Sequence, residues 1–229
     1  MPNQTEEFSG ANADRSAKGI LPTLPGRACV YRKFGKRLFD ISFVLLAAPI
    51  IVPITLALAL ILVCRGIAPF YRQRRIGRNG KVFYLLKLRT MVRDADAVLE
   101  RHLAENPDAR AEWERNQKLR QDPRITKGGT FLRKSSLDEL PQFWNVLTGE
   151  MSLIGPRPIM VCQKDLYPGN RYYKMLPGIS GTWQISKRNN SSFSDRAFYD
   201  NAYWQEMSLS TDFLILYRTV FVVIRGTGC

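Results

Sequence analysis

Cysteine and histidine are scarce in this chain of 229 residues, which has four cysteines and one histidine. Cys29, Cys64, Cys162 and Cys229 lie far apart and form no Cys-x-x-Cys pair. The usual zinc spacings are excluded, no disulfide framework is expected, and the active portion is expected in a reducing compartment. The lone His102 sits in a charged segment with no motif around it, which argues against a Ser-His or Cys-His catalytic pair. No internal repeat, P-loop or dinucleotide glycine pattern occurs. No apolar stretch fills the first 25 residues, so no secretory signal is expected. Acidic residues are also few: 20 Asp and Glu stand against 34 Lys and Arg, for a formal net charge of +14. Such an excess implies an anionic partner: a phosphorylated substrate, an anionic membrane or nucleic acid.

Charge vanishes altogether from Ile41 to Cys64, a run of 24 residues. As a straight helix it would be about 36 Å long, enough to cross a bilayer core of roughly 30 Å. Pro49 and Pro53 fall near its middle, where each removes a backbone hydrogen bond and bends a helix. Both flanks are basic, with Arg32, Lys33, Lys36 and Arg37 before it and Arg65, Arg72, Arg74 and Arg75 after it. Basic flanks favour the cytoplasmic side, so both ends are drawn to one face. The expectation is a bent, re-entrant membrane helix over residues 34–66; the competing reading is a single span. Residues 1–33, rich in Asn, Ser, Gly, Ala and Pro, read as a disordered tail. Residues 67–229 are expected to form a compact catalytic domain of the α+β class, built of short helices with a small β-hairpin and associated with the membrane surface.

Within that domain, Arg65–Arg93 carries nine basic residues and no acid. Asn79-Gly80 between apolar segments predicts the turn of the hairpin. Strand alternation then puts Lys87 and Arg89 on one face. The arginines from Arg72 to Arg78 suit lipid headgroups as well as a substrate. Residues 94–121 predict a solvated helical excursion broken at Pro107. The apolar run from Asp212 to Ile224 is too short to span a bilayer; a core helix is expected, with a membrane-surface helix as the alternative.

The stretch Arg133-Lys-Ser-Ser-Leu-Asp-Glu-Leu-Pro-Gln142 places Asp138 and Glu139 side by side behind two cations. Ionised carboxylates among cations serve as nucleophiles, bases or metal ligands. Ser136-Leu-Asp-Glu139 also fits a helix capping box, although Pro141 is badly placed for one. Pro141 suits instead the start of a helix that stops at Thr148-Gly149, which would put the acids near a helix N-terminus. Arg157, held between two prolines in Gly155-Pro-Arg-Pro158, suits pre-organised phosphate binding or a rigid turn. In Gly181-Thr-Trp-Gln-Ile-Ser-Lys-Arg188, Trp183, Gln184 and Arg188 suit contact with a nucleobase, and Trp183 equally suits a packed core.

Nine of these segments in one order resemble the bacterial sugar transferases, the monotopic polyprenol-phosphate phosphoglycosyl transferases. They are Lys36-Arg-Leu-Phe-Asp40, Pro69-Phe-Tyr-Arg-Gln73, Arg75-Ile-Gly-Arg-Asn-Gly80, Lys87-Leu-Arg-Thr-Met91, Asp122-Pro-Arg-Ile-Thr126, Leu132–Gln142, Asn145-Val-Leu147, Gly149–Pro158 and Pro177-Gly-Ile-Ser-Gly181. Residues 94–120 resemble the branch of galactose-1-phosphate transferases of exopolysaccharide synthesis. The resemblance implies transfer of a sugar-1-phosphate, galactose first and glucose next, from a UDP-sugar to polyprenol (undecaprenyl) phosphate with release of UMP. It implies Asp138 as covalent nucleophile, Glu139 as its partner, and both as ligands of Mg2+. It further implies Lys87, Arg89, Arg133, Arg157 and Arg188 as phosphate-binding residues and Gln184 as a nucleotide-binding residue. The expected location is the bacterial inner membrane, with the catalytic domain on the cytoplasmic face. Membrane lipid is an expected partner and nucleic acid is not; a homo-oligomer is left open. The alternative without catalysis is a membrane-anchored basic adaptor. A lipid-diphosphate hydrolase is a third reading.

Overall fold

A computed structural model of the chain describes residues 30–186 and 192–224. Helix begins at once, as a π-helical turn Tyr31–Gly35 that runs into α1, Lys36–Cys64. Pro49 and Pro53 both lie inside α1. Its central residues are bare: Leu46 is 79% exposed and Ile50 66%. Its two ends are covered. At the first end Lys36, Asp40 and Val44 are buried; at the second, Ala59 and Leu62 are. Of the expected tail over residues 1–33, residues 1–29 lie outside the described residues, and 30–33 need correcting, because they are helical and continue into α1.

The Lys36–Asp40 motif fastens the start of α1 to the rest of the chain. Arg37 donates to the carbonyls of Val146 and Leu147, at 2.5 and 2.8 Å. Asp40 Oδ1 accepts from Leu153 N and Ser152 Oγ, both at 3.0 Å. Lys36 Nζ pairs with Asp212 Oδ2 at 2.6 Å. That carboxylate also accepts from the Tyr31 and Tyr203 hydroxyls, both at 2.6 Å. A buried ion pair is tolerated when its remaining lone pairs are satisfied in this way. The far end of α1 packs through Ala59 and Leu62 on Leu88.

The hairpin forms as expected. Strands β1, Phe70–Ile76, and β2, Val82–Leu88, pair antiparallel from Phe70 with Leu88 to Ile76 with Val82. Asn79 and Gly80 turn the chain with φ of 59° and 74°, the left-handed region this dipeptide tolerates. Helices α2, Ala95–Glu105, and α3, Pro107–Asn116, form the excursion, and Pro107 opens the second at its first position. Then follow α4, Lys127–Lys134, a 3-10 turn Leu137–Glu139, and α5, Gln142–Thr148. Gly149 ends α5 with φ 83°.

Strand β3, Ser152–Ile154, pairs parallel with β5, Gly178–Ser180, and β4, Ile159–Met160, adds to the free side of β1. Gly155 and Gly178 touch backbone to backbone; a Cβ on either would overlap the other segment. The chain closes with α6, Thr182–Ile185, α7, Arg196–Glu206, and α8, Leu209–Ile224. The main core joins Val44 of α1 to Phe83, Leu85, Val146, Leu153, Ile154, Tyr203 and Ile215.

The expectation of a core helix at the C-terminal run needs correcting. Thr211, Asp212 and Ile215 of α8 are buried, but Leu209, Phe213, Tyr217, Val220 and Ile224 are exposed. The two sets lie on opposite faces at helical spacing. Apolarity all round said nothing of which face is covered. The outer face has the composition of a helix lying at a membrane surface.

Candidate active site

The acid pair is placed by Asn145. Buried on α5, it accepts Leu86 N–H on Oδ1 at 3.0 Å and donates through Nδ2 to the Tyr84 carbonyl at 2.8 Å and to Glu150 Oε2 at 2.7 Å. These bonds lock α5 to the backbone of β2. The turn that carries the acids is thereby held over Lys87.

No capping box forms. Ser136 has φ 57° and caps nothing with its side chain, and Asp138 and Glu139 lie in the 3-10 turn ahead of Pro141. With α5 only seven residues long, the positive field comes from side chains. Lys87 Nζ stands 2.8 Å from Glu139 Oε1 and 3.7 Å from Asp138 Oδ2, bridging both acids. Arg157 Nη2 donates to the same Glu139 oxygen at 3.2 Å. Arg133 Nε donates to Thr90 Oγ1 at 2.9 Å, and its charge acts on Asp138.

Cations alone would hold the Asp138 carboxyl low. The balance goes the other way. Asp138 is 4% exposed, and its burial, with the charge of Glu139 added, raises the pKa despite Lys87, Arg133 and Arg157. Desolvation of a carboxylate outweighs neighbouring cations when none of them makes a close bond to it. Burial pushes the Arg133 guanidinium down, and Asp138 partly offsets that.

A small cavity lies against Glu139, lined also by Arg75, Leu85, Lys87, Gln142, Arg157, Gly178 and Ile179, among others. Lys87, Arg133, Arg157, Asp138 and Glu139 are thus brought together. Arg89 is not among them: it donates to the Ala68 carbonyl at 3.1 Å and lies over the Tyr71 ring. Gln184 is buried and donates to the carbonyl of Ile179, a cavity residue, at 3.3 Å; its Oε1 is buried with no partner. Arg188 lies outside the described residues.

Two arginines were missed. Arg75 lines the cavity, and its pKa is pushed down to about 10 by burial and then by Arg157. A signal for it existed. The turn fixes Arg75 opposite Phe83, hence on the face of Leu85 and Lys87, while Arg72 and Arg74 point away and are exposed. Arg196 does not line the cavity, but its charge acts on the group: burial and then Arg157 push its pKa down to about 9, and 39 residues beyond Arg157 no local pattern marks it.

Among the described residues no three His, Cys, Asp or Glu side chains gather into a metal cage. Two adjacent carboxylates completed by substrate phosphates and water are nevertheless the donor set that magnesium uses, so Asp138 and Glu139 fit it.

The family model for bacterial sugar transferases matches residues 31–226. The exopolysaccharide production protein ExoY of Rhizobium meliloti is 40% identical over 222 residues, covering 95% of this chain and 98% of that protein. The UDP-galactose-lipid carrier transferase of Erwinia amylovora is 43% identical over 198 residues, 86% of this chain and 42% of that protein. The undecaprenyl-phosphate galactose phosphotransferase of Salmonella typhimurium shows the same identity and the same coverage. The chain therefore spans about two-fifths of the latter two relatives and nearly all of the first. With the match running from the start of α1 past the end of α8, the chain belongs to the bacterial sugar transferase family.

Proposed function

We propose that the protein transfers a sugar-1-phosphate from a UDP-sugar to undecaprenyl phosphate and releases UMP, as the first step of exopolysaccharide repeat-unit synthesis. The observation that carries this reading is the acid pair Asp138–Glu139, bridged by Lys87, with Arg157 paired to Glu139 and a cavity lined by Lys87, Glu139 and Arg157 beside it. The names of two relatives specify galactose, which makes it the first sugar to test, with glucose second.

Phosphoryl transfer needs positioning and charge neutralisation more than a proton shuttle. A carboxylate oxygen of Asp138 attacks the β-phosphorus of the UDP-sugar. The bond from that phosphorus to the bridging oxygen breaks, and UMP leaves with the electron pair. Asp138 then carries the sugar phosphate as an acyl phosphate. A phosphate oxygen of the lipid attacks the same phosphorus, the Asp138–phosphorus bond breaks, and the free carboxylate returns. Glu139 holds Lys87 and Arg157 in place for the phosphate oxygens. A magnesium ion on Asp138 and Glu139 would neutralise charge on the diphosphate. Gln184 and Arg188 are proposed toward the nucleotide and its phosphates, and Arg89, beside the end of α1, toward the lipid phosphate.

The lipid acceptor requires an active site at a membrane face. Both ends of α1 pack on one domain while its middle is bare, which supports a re-entrant anchor rather than a span. The outer face of α8 adds an apolar surface. We place the protein on the cytoplasmic face of a bacterial inner membrane.

The test measures UMP from UDP-galactose and undecaprenyl phosphate with membranes holding the full chain. Asp138→Asn is expected to abolish it. Glu139→Gln is expected to lose activity and keep membrane binding. Retained turnover in Asp138→Asn would sink the nucleophile. Phosphosugar passed to water would mark a hydrolase, and membrane binding without turnover of any UDP-sugar an adaptor.

A further inference from the structure

Arg196 carries a buried charge that no ion pair among the described residues neutralises. It is 9% exposed, and its guanidinium lies 4.3 Å from the Trp183 ring centroid and 4.6 Å from that of Phe193. Its Nε is buried without a hydrogen-bond partner, and it joins none of the ion pairs among the described residues. Asp200, one turn further along α7, is the nearest source of negative charge. It accepts the Tyr167 hydroxyl at 2.5 Å, and burial pushes its pKa up to about 7, so near neutral pH it supplies only part of a charge.

Arg75 repeats the pattern from the other side. Nη1 donates to the Pro158 carbonyl at 3.0 Å and Nη2 to Gln73 Oε1 at 2.6 Å, while Nε is buried without a partner. Arg75 lines the cavity together with Arg157. Arg157 repels both Arg75 and Arg196, and those two repel each other. Glu139 pairs with Arg157 and acts on Arg75, but one carboxylate against three guanidiniums leaves positive charge whose enclosure costs free energy in the empty protein. An anion settled among them removes that cost. Arg157 is shared, since its Nη2 also pairs with Glu139 at 3.2 Å, whereas Lys87 bridges both acids and stays with the phosphoryl group that meets Asp138.

We infer that Arg75, Arg157 and Arg196 form a subsite for a second phosphoryl group, beside the one presented to Asp138. Arg75 and Arg157 bind it. Arg196 is a positioning residue, held rigid by its two rings and acting through its charge. This rests on the transferase reading, in which a UDP-sugar and a lipid phosphate bring three phosphoryl groups and only one is attacked. The ligand chemistry is a phosphate anion; its source is the nucleotide's own phosphoryl group or the acceptor lipid's.

The experiment uses the full chain in nanodiscs. Thermal unfolding is followed in millimolar inorganic pyrophosphate against chloride of equal ionic strength. Wild type is expected to be stabilised by pyrophosphate. Arg196→Met keeps an apolar chain between Trp183 and Phe193 and removes the unpaired charge. Its Tm in chloride is expected to equal or exceed wild type, with the pyrophosphate shift lost. Arg75→Gln is expected to lose the shift and Arg75→Lys to recover part of it. In steady state, each loss should raise one KM by about tenfold, the equivalent of one charge-assisted hydrogen bond, with kcat within about threefold. A raised KM for UDP-sugar assigns the subsite to the nucleotide; a raised KM for undecaprenyl phosphate assigns it to the acceptor. The inference is overturned if wild type shows no pyrophosphate shift, if the variants keep it, or if Arg196→Met loses stability in chloride with both KM values unchanged. A shift that depends on these arginines in a protein without turnover would defeat the transferase reading and leave the subsite standing.

Discussion

As the proposed nucleophile, Asp138 has to be ionised, yet burial holds its carboxyl above the usual carboxylate range. Lys87 is the largest force in the other direction. The rate should therefore fall as pH drops through that raised pKa, and Lys87→Met should move the acid limb of the pH–rate profile further up. A limb left in place would show that Lys87 does not set the ionisation. Asp200 offers a stability test of the same physics. Its folded pKa of about 7 lies above the ordinary aspartate value near 4. The folded state then binds the extra proton, so this group makes stability fall as pH rises from about 4 to about 7, by up to ~1.4 kcal/mol per unit. Denaturant titrations across that window should show the slope in wild type and lose it in Asp200→Asn. Residue chemistry was legible in the sequence where partners are neighbours, as with Asp138 and Glu139. It was illegible where burial decides the sign, because the burial of Asp138 depends on how its turn packs on β2, some fifty residues earlier, which its own decapeptide does not show.

Elements followed the sequence where a local rule is strict. Asn79-Gly80 tolerates left-handed φ and produced the hairpin; Pro107 lacks an N–H and opened α3. The docking of α1 had no such rule. Lys36 and Arg37 read as a basic flank for lipid, but one is buried on Asp212 of α8 and the other bonds the last carbonyls of α5. Those partners lie more than a hundred residues away, beyond the reach of any periodicity. The ion pair itself makes a prediction. Asp212→Leu leaves Lys36 buried and unpaired, and should destabilise the solubilised protein by about 3–5 kcal/mol. The double variant Lys36→Met with Asp212→Leu should recover much of that loss. Equal losses in single and double variants would mean that the Tyr31 and Tyr203 hydroxyls, not the ion pair, hold the joint. Asn145→Ala should cost about 1–3 kcal/mol, because it strands the Leu86 N–H and the Tyr84 carbonyl, and should lower kcat by loosening α5.

At the scale of the whole molecule the question is where the ends of α1 stand. A helix of 29 residues with a span's hydropathy would ordinarily leave one end across the bilayer. Here the first end is tied into α5, β3 and α8, and the second packs on β2, so one domain holds both. Extracting either end to cross a membrane would strip Lys36 from Asp212 or Leu62 from Leu88. On the proposed membrane location the net charge of +14 acts in the same sense, because a basic surface is attracted to an anionic leaflet. Exposed Cys162 in the catalytic domain provides an internal reference for sidedness. With Cys29, Cys64 and Cys229 replaced by Ser and Lys33→Cys added, a membrane-impermeant maleimide applied to intact and then to inverted vesicles should label position 33 and Cys162 from the same side. Labelling from opposite sides would make α1 a span and would require its first ten residues to give up every contact described above. Washing the same vesicles in high salt separates the two attractions. The apolar middle of α1 should hold the chain in place at 1 M salt, where the Debye length is about 3 Å and the basic surface alone would let go.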